Sequence, residues 1–340
     1  MTRARNFSPW ASWMLDLSAT QPVDPLPDDL SDLSGLDAWR DRVRARIVER
    51  LGPPPDRVPL DVETTAAEVV ELSGPGGGPG YRRERVVFDT AATMSVPAYL
   101  LVPLDRTEPG PAVLAIHGHG PGKSEICDPA AAPGDYASQL ARRGFVVLAP
   151  DLRCFGERAD WNPPDHYACD TNLVHAVMAG ASPLGANLWD LARSLDVLAA
   201  HPLVDPGRIG AAGLSYGGTC TLFLAALDDR VAAAVVSGYL SSWAEAHKVP
   251  WNMCGSQVLP GMLGQFEHVD VAALIAPRPL LVETGTGDDI FPLAAAEATV
   301  AQLCRVYERL GAADRLEHDV FDGGHQWHGD LAYPFLARSL

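Results

Sequence analysis

The sequence has few basic residues and no long apolar run. Its 26 lysines and arginines stand against 43 aspartates and glutamates, which gives a formal net charge of -17 over 340 residues. Such a negative field repels phosphate backbones and anionic lipid surfaces, so we expect neither nucleic acid nor a membrane as a partner. No window reaches the roughly 18 apolar residues of a membrane span, and the N-terminal residues predict no secretion signal.

Cysteine is also scarce, and its placement is irregular. The six cysteines, which form no C-x-x-C pair and share no regular spacing, are Cys127, Cys154, Cys169, Cys220, Cys254 and Cys304. This pattern does not indicate a disulfide framework. Reduced thiols fit it best, and we therefore expect a cytoplasmic protein.

The segment 1–80 is predicted to form an N-terminal helical extension. In "LSGLDAWRDRVRARIVERLG" the apolar residues recur at helical spacing, namely Leu36, Trp39, Val43, Ile47 and Leu51. We expect this amphipathic helix to pack on the main body. Together with its proline-rich leader it could also serve as the arm of a homo-oligomer. The stretch "SGPGGGPG" at 73–80 predicts a turn, and strand patterns follow it.

The segment 81–340 carries the pattern of an α/β domain. Eight short apolar runs are separated in part by segments of helical length, and these runs are "RERVVFD", "SVPAYLLVP", "PAVLAIHG", "GFVVLAPD", "RIGAAGLS", "VAAAVVSG", "PLLVETG" and "LEHDVFDGG". The later runs are continuous, which is typical of strands covered on both faces. The sequence therefore predicts a mostly parallel eight-stranded sheet with helices on both faces, in which the first two strands form an antiparallel hairpin.

Two long segments, at about 153–187 and 238–272, do not fit this alternation. Both follow strand ends, the edge at which open α/β sheets bind ligands, so we expect them to form a cap and the walls of a pocket. The candidates for an apolar lining are Trp161, Trp243, Trp251 and Met262. Each of these side chains could equally pack its loop onto the core.

The stretch "AAGLSYGGT" at 211–219 places Ser215 between Gly213 and Gly217. The G-x-S-x-G pattern alone is weak in a chain with 31 glycines, but here it lies between a predicted strand and a predicted helix. Such a tight turn brings neighbouring backbone close, so small residues are needed on both sides of the serine. We predict that Ser215 is a nucleophile and that the backbone N–H of Tyr216, at the helix start, stabilises an oxyanion.

A serine nucleophile needs a base within hydrogen-bond reach and a third group that orients the base. In a sheet of this kind an acidic residue and then a histidine follow later strands. Asp288 and Asp289 follow one predicted strand, and His325 and His328 follow the next. The residues by themselves leave both choices open.

The run from about 84 to 330 resembles the α/β-hydrolase superfamily, and within it the serine esterases grouped with dienelactone-hydrolase-like and acetyl-xylan-esterase-like proteins. The motifs that carry the likeness are "HGHGPGK", "APDLRCFGER", "HPLVDPGRIGAAGLSYGG", "IAPRPLLVETGTGDDIFP" and "GGHQWHG". The family's G-x-x-D pattern favours Asp288 over Asp289. Its glycine pair before the histidine favours His325, and its second oxyanion donor corresponds to the backbone N–H of His119.

The resemblance implies that a small-molecule carboxylic ester, such as a short-chain or acetyl ester, is hydrolysed through an acyl-enzyme without a cofactor. Dienelactone hydrolases use a cysteine nucleophile, so a serine at 215 favours simple ester hydrolysis. Two alternatives stay open: the same triad could cleave an amide, a peptide or a carbon–carbon bond, or the chain could be a non-catalytic receptor with the hydrolase fold.

A metal site is not predicted. His117 and His119 could form an H-x-H pair, but no further ligand stands at a recognised spacing. We expect His117, at a strand end, to organise its loop instead.

Overall fold

Nine strands form one sheet in the computed structural model, which describes residues 22–71, 80–159, 168–246 and 254–340. The strands are β1 Glu63–Val70, β2 Tyr81–Ala91, β3 Met94–Pro103, β4 Gly110–Ile116, β5 Val146–Pro150, β6 Val204–Leu214, β7 Val231–Ser237, β8 Leu280–Gly285 and β9 Leu316–Phe321. Their order across the sheet is β1-β2-β3-β5-β4-β6-β7-β8-β9. Strands β4 to β9 run parallel, and β1 to β3 add antiparallel pairs at one edge.

The mostly parallel sheet and the β2–β3 hairpin are confirmed, but the sheet has one strand more than the eight predicted. The additional strand is β1, which lies within the predicted N-terminal extension and pairs with β2. Its side chains are exposed along almost the whole strand. An edge strand without a buried face gives neither an alternating nor a continuous apolar signal, which explains why the sequence pattern missed it.

Ten α-helices lie in the described ranges. They are α1 Leu33–Leu51, α2 Lys123–Cys127, α3 Tyr136–Arg142, α4 Ala168–Met178, α5 Pro183–Ala200, α6 Tyr216–Leu227, α7 Trp243–Ala246, α8 His268–Ala273, α9 Leu293–Arg309 and α10 Ala332–Ser339. Helix α1 buries Leu36, Trp39, Val43 and Ile47, as its spacing predicts. No helix in these ranges combines the length and the apolar composition needed to cross a membrane.

Helices cover both faces of the sheet. Alternate residues of β4 enter two separate apolar clusters, with Leu114 and Ile116 in one and Val113 in the other. The first cluster includes side chains of α1, α5, α6 and α9, and the second includes side chains of α3 and α10. Strands buried on both faces account for the continuous apolar runs of the sequence.

The second insertion contributes two side chains to the core, which is one of the two alternatives that the sequence left open for them. Trp243 and Met262, predicted as pocket lining, are only 1% and 3% exposed and belong to the first apolar cluster. The Trp243 ring packs edge-on against Phe266 and His268. These two residues therefore fix the second insertion to the core, whereas Trp161 and Trp251 lie outside the described residues.

Candidate active site

Ser215 occupies the tight turn between β6 and α6, with backbone angles φ 61° and ψ -119°. A positive φ is rare and strained in a residue other than glycine. The two neighbouring glycines are needed because other backbone lies against them. A Cβ on Gly213 would lie 2.4 Å from the Gly217 carbonyl oxygen, and one on Gly217 would lie 2.0 Å from that of Ile116. The turn therefore tolerates no larger side chain at either position.

The loop that follows β4 lies directly beside this turn. A Cβ on Gly118 would lie 3.2 Å from the Cβ of Ser215, and His119 is the next residue. On the other side Tyr216 is the first residue of α6, where the backbone N–H groups have no acceptor within the helix. The backbone of His119 and that of Tyr216 are thus both placed close to Ser215.

The structure brings Asp288 and His325 together. His325 Nδ1 lies 2.8 Å from Asp288 Oδ2, and Asp288 Oδ1 accepts 2.9 Å hydrogen bonds from the backbone N–H groups of Ile290 and Phe291. The Asp288 side chain is fully buried. Burial raises the pKa of this carboxyl, but the hydrogen bonds from His325 and the backbone outweigh it and hold the pKa below its ordinary value. Asp288 is therefore an ionised, fixed acceptor for the imidazole.

Glycines allow the two loops that carry this pair to touch. The N–H of Gly287 donates to the Gly323 carbonyl over 2.8 Å. A Cβ on Gly285 would lie 2.3 Å from the Gly324 carbonyl oxygen. The loops after β8 and β9 thus contact each other through their backbones. This contact leaves no room for a side chain at Gly285.

His325 lies against the strand ends that border Ser215. A Cβ on Gly238 would lie 3.1 Å from His325 Cε1 and 3.0 Å from the Leu214 side chain. The preceding residue, Ser237, accepts a 2.9 Å hydrogen bond from the N–H of Ser215. The imidazole and the serine therefore share the edge formed by β6 and β7.

The two alternative residues take no part in the contact between Asp288 and His325. His328 Nδ1 lies 2.7 Å from Asp319 Oδ2, and its ring stacks on Phe321 with 4.4 Å between centroids. Burial lowers the pKa of His328, but the hydrogen bond and charge of Asp319 raise it above its ordinary value. Asp289 is exposed and lies outside the Asp288–His325 contact.

His117 organises the loop after β4. It is fully buried, its Nε2 accepts a 3.0 Å hydrogen bond from the N–H of Leu152, and its Nδ1 lies 2.7 Å from the Gly118 carbonyl. Because Nε2 is an acceptor, the proton is on Nδ1. Burial lowers the pKa of His117 to about 4. Both ring nitrogens are engaged, so His117 does not form a metal pair with His119.

Sequence reasoning missed a buried ion pair that holds the same loop. Lys123 Nζ lies 2.5 Å from Asp151 Oδ2 and 2.6 Å from Glu157 Oε1, and the Lys123 and Asp151 side chains are 4% and 0% exposed. A Cβ on Gly122 would lie 2.4 Å from Asp151 Oδ1. Lys123 and Asp151 stand in two of the family motifs, but a charge pair between loops that follow different strands leaves no signal in local spacing.

The sheet order and these strand-end positions define a class of protein. A serine at a strained strand-to-helix turn, followed along the chain by a carboxylate and a histidine after later parallel strands, is the arrangement of an α/β-hydrolase.

Comparison with known proteins agrees with this class. The model of the Abhydrolase family matches residues 16–309, and the chain belongs to that family. A curated relative, "Putative hydrolase YtaP" of Bacillus subtilis (strain 168), is 29% identical over 282 residues, which cover 80% of this chain and 89% of the relative.

Solved structures show the same fold. One is that of "a putative acetyl xylan esterase" from Bacteroides fragilis NCTC 9343, with a TM-score of 0.75 and 20% identity, covering 95% of this chain and 84% of that one. Another is a glucuronoyl esterase from Solibacter usitatus, with a TM-score of 0.71 and 16% identity, covering 94% of this chain and 98% of that one. At these identities the similarity establishes the fold.

Proposed function

We propose that this protein is a serine hydrolase that cleaves carboxylic esters through an acyl-enzyme. The observation that carries the proposal is the hydrogen-bonded Asp288–His325 pair at the sheet edge where Ser215 occupies its strained turn. In this proposal Ser215 is the nucleophile, His325 is the general base and Asp288 orients the imidazole.

Acylation follows from these positions. Ser215 Oγ attacks the ester carbonyl carbon while His325 Nε2 takes the hydroxyl proton, and Asp288 stabilises the resulting imidazolium. The backbone N–H groups of His119 and Tyr216 donate to the oxyanion, an interaction worth about 3 to 4 kcal/mol per donor in related chemistry. When the tetrahedral intermediate collapses, the alcohol leaves with the proton from His325.

Deacylation reverses the proton path. His325 removes a proton from water as the water oxygen attacks the acyl carbon. The second tetrahedral intermediate then collapses, Ser215 regains its proton from His325, and the carboxylic acid is released. Because Asp288 is ionised and fully buried, the imidazole keeps one orientation through both halves of the reaction.

The substrate class to test first is an ester on a carbohydrate. The two structural relatives are named for acetyl xylan and for glucuronoyl esters, and both names denote ester-bearing sugars. A panel that contains an acetylated sugar, a glucuronate methyl ester, an aminoacyl anilide and a β-diketone separates ester cleavage from amide and carbon–carbon cleavage by the same residues.

Substitution of the nucleophile tests the proposal. We expect Ser215→Ala to lower kcat/KM for p-nitrophenyl acetate by about 10³-fold or more, because no other group in the proposed mechanism can form the acyl-enzyme. The matched control is Ser95→Ala, an exposed serine in β3. If Ser215→Ala, folded by circular dichroism, hydrolyses the ester as fast as Ser95→Ala, the proposal is wrong.

A further inference from the structure

Three metal-binding atoms converge beside the proposed oxyanion loop. His119 Nε2, Cys169 Sγ and Cys254 Sγ all lie within 4.8 Å of one another, and His119 Nε2 lies 3.0 Å from Cys254 Sγ. The three residues come from distant parts of the chain. His119 lies in the loop after β4, Cys169 lies at the start of α4 in the first insertion, and Cys254 lies in the second insertion. The ester-hydrolysis mechanism uses none of these side chains.

The ligand set and its spacing suit a zinc ion. Zinc binds cysteine sulfur at about 2.3 Å and histidine nitrogen at about 2.0 Å, so tetrahedral ligand atoms lie about 3.5 to 3.8 Å apart. The His119 Nε2–Cys254 Sγ distance of 3.0 Å is shorter than this spacing, and the 4.8 Å limit on every separation in the cluster leaves room for it. Cys169 is 2% exposed, whereas His119 is exposed. Three protein ligands with one accessible side leave a fourth position for water or a substrate atom.

The surrounding contacts hold the ligands in place. The N–H of Gly255 donates to Asp170 Oδ1 over 2.7 Å, which ties the residue after Cys254 to the residue after Cys169. A Cβ on Gly255 would lie 2.6 Å from the Cys169 carbonyl oxygen. These neighbours keep the two cysteines together without any contribution from an ion, as a preorganised site requires.

Aromatic rings hold the third ligand. The centroid of the His119 ring lies 5.5 Å from that of Phe155 and 5.3 Å from that of Tyr216. Phe155 and Tyr216 are themselves buried. The imidazole is therefore positioned against the two cysteines by packing.

We propose that His119, Cys169 and Cys254 bind one Zn²⁺ ion, or another divalent ion of similar affinity for sulfur, which joins both insertions to the loop after β4. The cysteines bind as thiolates, and their protons pass to solvent when the ion binds. The backbone N–H of His119 stays free to serve the oxyanion while the side chain is held. The site goes beyond the proposed ester hydrolysis, which needs no metal.

Metal titration of the full-length protein tests this site directly. With the thiols kept reduced by a phosphine and adventitious metal removed, Zn²⁺ is titrated against a chromophoric chelator, and Co²⁺ is added separately to follow thiolate-to-cobalt absorption. We expect one ion per chain. Cys169→Ser and Cys254→Ser should each lower the affinity about 100-fold or more, because each removes a thiolate ligand. Cys304→Ser, which changes an exposed cysteine elsewhere, should bind as the wild type does.

A second measurement needs no variant and so does not depend on whether a substituted chain folds. One equivalent of Zn²⁺ should protect the partly exposed Cys254 from iodoacetamide, as read by peptide mass, while the exposed Cys304 is alkylated at the same rate with and without the ion. Absence of saturable binding, equal binding by the Cys169→Ser variant, or a Cys169–Cys254 disulfide that forms readily and is unaffected by Zn²⁺ would each overturn the proposal. Metal binding and alkylation do not involve ester cleavage, so their results are independent of the result for Ser215→Ala.

Discussion

Ser215 is held in a backbone conformation that costs about 1 to 3 kcal/mol in a residue other than glycine. Contacts with neighbouring backbone offset this strain. The N–H of Ser215 donates a hydrogen bond to the carbonyl of Ser237, and the backbone of Gly213 packs directly against that of Gly217. In a turn of this kind the serine hydroxyl is exposed at the carboxyl edge of the sheet.

The two adjacent aspartates of the β8 loop make a matched pair for a test of the acid. Asp288→Asn keeps the size of the side chain but removes the negative charge that fixes the His325 tautomer, so we expect kcat to fall by about 10³- to 10⁴-fold. Asp289→Asn changes an exposed carboxyl and should leave kcat within about twofold. The measurement is kcat for ester hydrolysis by both variants. Equal losses of kcat would show that Asp288 does not orient His325 in catalysis.

We expect His268 to make the free energy of unfolding depend on pH. Burial lowers its pKa to about 3, and its Nδ1 accepts a 2.9 Å hydrogen bond from the N–H of Ser241. The unfolded chain takes up a proton near the ordinary pKa of 6.5, but the folded chain does so only near 3. Stability from this group is therefore present at neutral pH and decreases as the pH falls below 6.5, by about 2 kcal/mol at pH 5.

Urea unfolding at pH 7.5 and pH 5 measures this contribution. We expect His268→Gln to be less stable than the wild type at pH 7.5 but to lose about 2 kcal/mol less between the two pH values. His175→Gln, at an exposed position on α4, serves as the control and should keep the wild-type dependence. An unchanged pH dependence in His268→Gln would mean that the buried imidazole does not cause it.

At the residue level, the sequence could predict those residues of the candidate site that belong to a local pattern. The position of Ser215 follows from the flanking glycines in a strand-to-helix context, and Asp288 and His325 follow from their order after later strands together with the family motifs. The Lys123–Asp151 pair and the Cys169–Cys254 contact join segments that lie far apart in the chain. Only the fold brings such residues together, so no spacing could predict them.

The loops after β8 and β9 together position Asp288 and His325. Their contact is made by backbone, since the carbonyls of Gly323 and Gly324 lie where a Cβ on Gly285 would stand. The hydrogen bond from Gly287 to Gly323 closes the contact. The separation of Asp288 and His325 is therefore set by the glycines that precede each of them.

Gly285→Ala tests this positioning. The added methyl group would lie 2.3 Å from the Gly324 carbonyl oxygen, so the loops must separate. We expect a loss of about 2 to 4 kcal/mol in unfolding free energy and a larger fall in kcat than in 1/KM. The control is Gly207→Ala in β6, where a Cβ would meet no atom closer than 3.4 Å. Wild-type kcat in a stable Gly285→Ala protein would contradict this account.

The sequence predicted helices and strands that have a buried face, but not the exposed strand. Helix α1 was predicted because a one-sided apolar stripe is buried, and the eight core strands were predicted because their residues pack on at least one face. Strand β1 was missed because it is held by hydrogen bonds to β2 rather than by burial. Hydrogen bonds between main chains do not require particular side chains, so the sequence of an exposed strand gives no pattern from which the strand could be predicted.

At the scale of the whole molecule, the parallel strands bring the candidate site residues to one edge of the sheet. The segments after β4, β6, β8 and β9 contribute His119, Ser215, Asp288 and His325 in turn, from widely separated positions in the chain. The carboxyl ends of parallel strands all reach this edge, and so residues from distant loops meet there. Both insertions also begin at this edge, after β5 and β7, which places them beside the same residues.

Covalent labelling of the intact chain with a fluorophosphonate tests the central claim most directly. We predict that the folded wild-type protein gains the mass of one phosphonyl group, that peptide mapping places it on Ser215, and that ester hydrolysis is lost in step with labelling. His325→Gln should be labelled far more slowly, because the hydroxyl then has no base. If folded protein gains no label, or hydrolyses esters undiminished with Ser215 fully labelled, Ser215 is not the nucleophile.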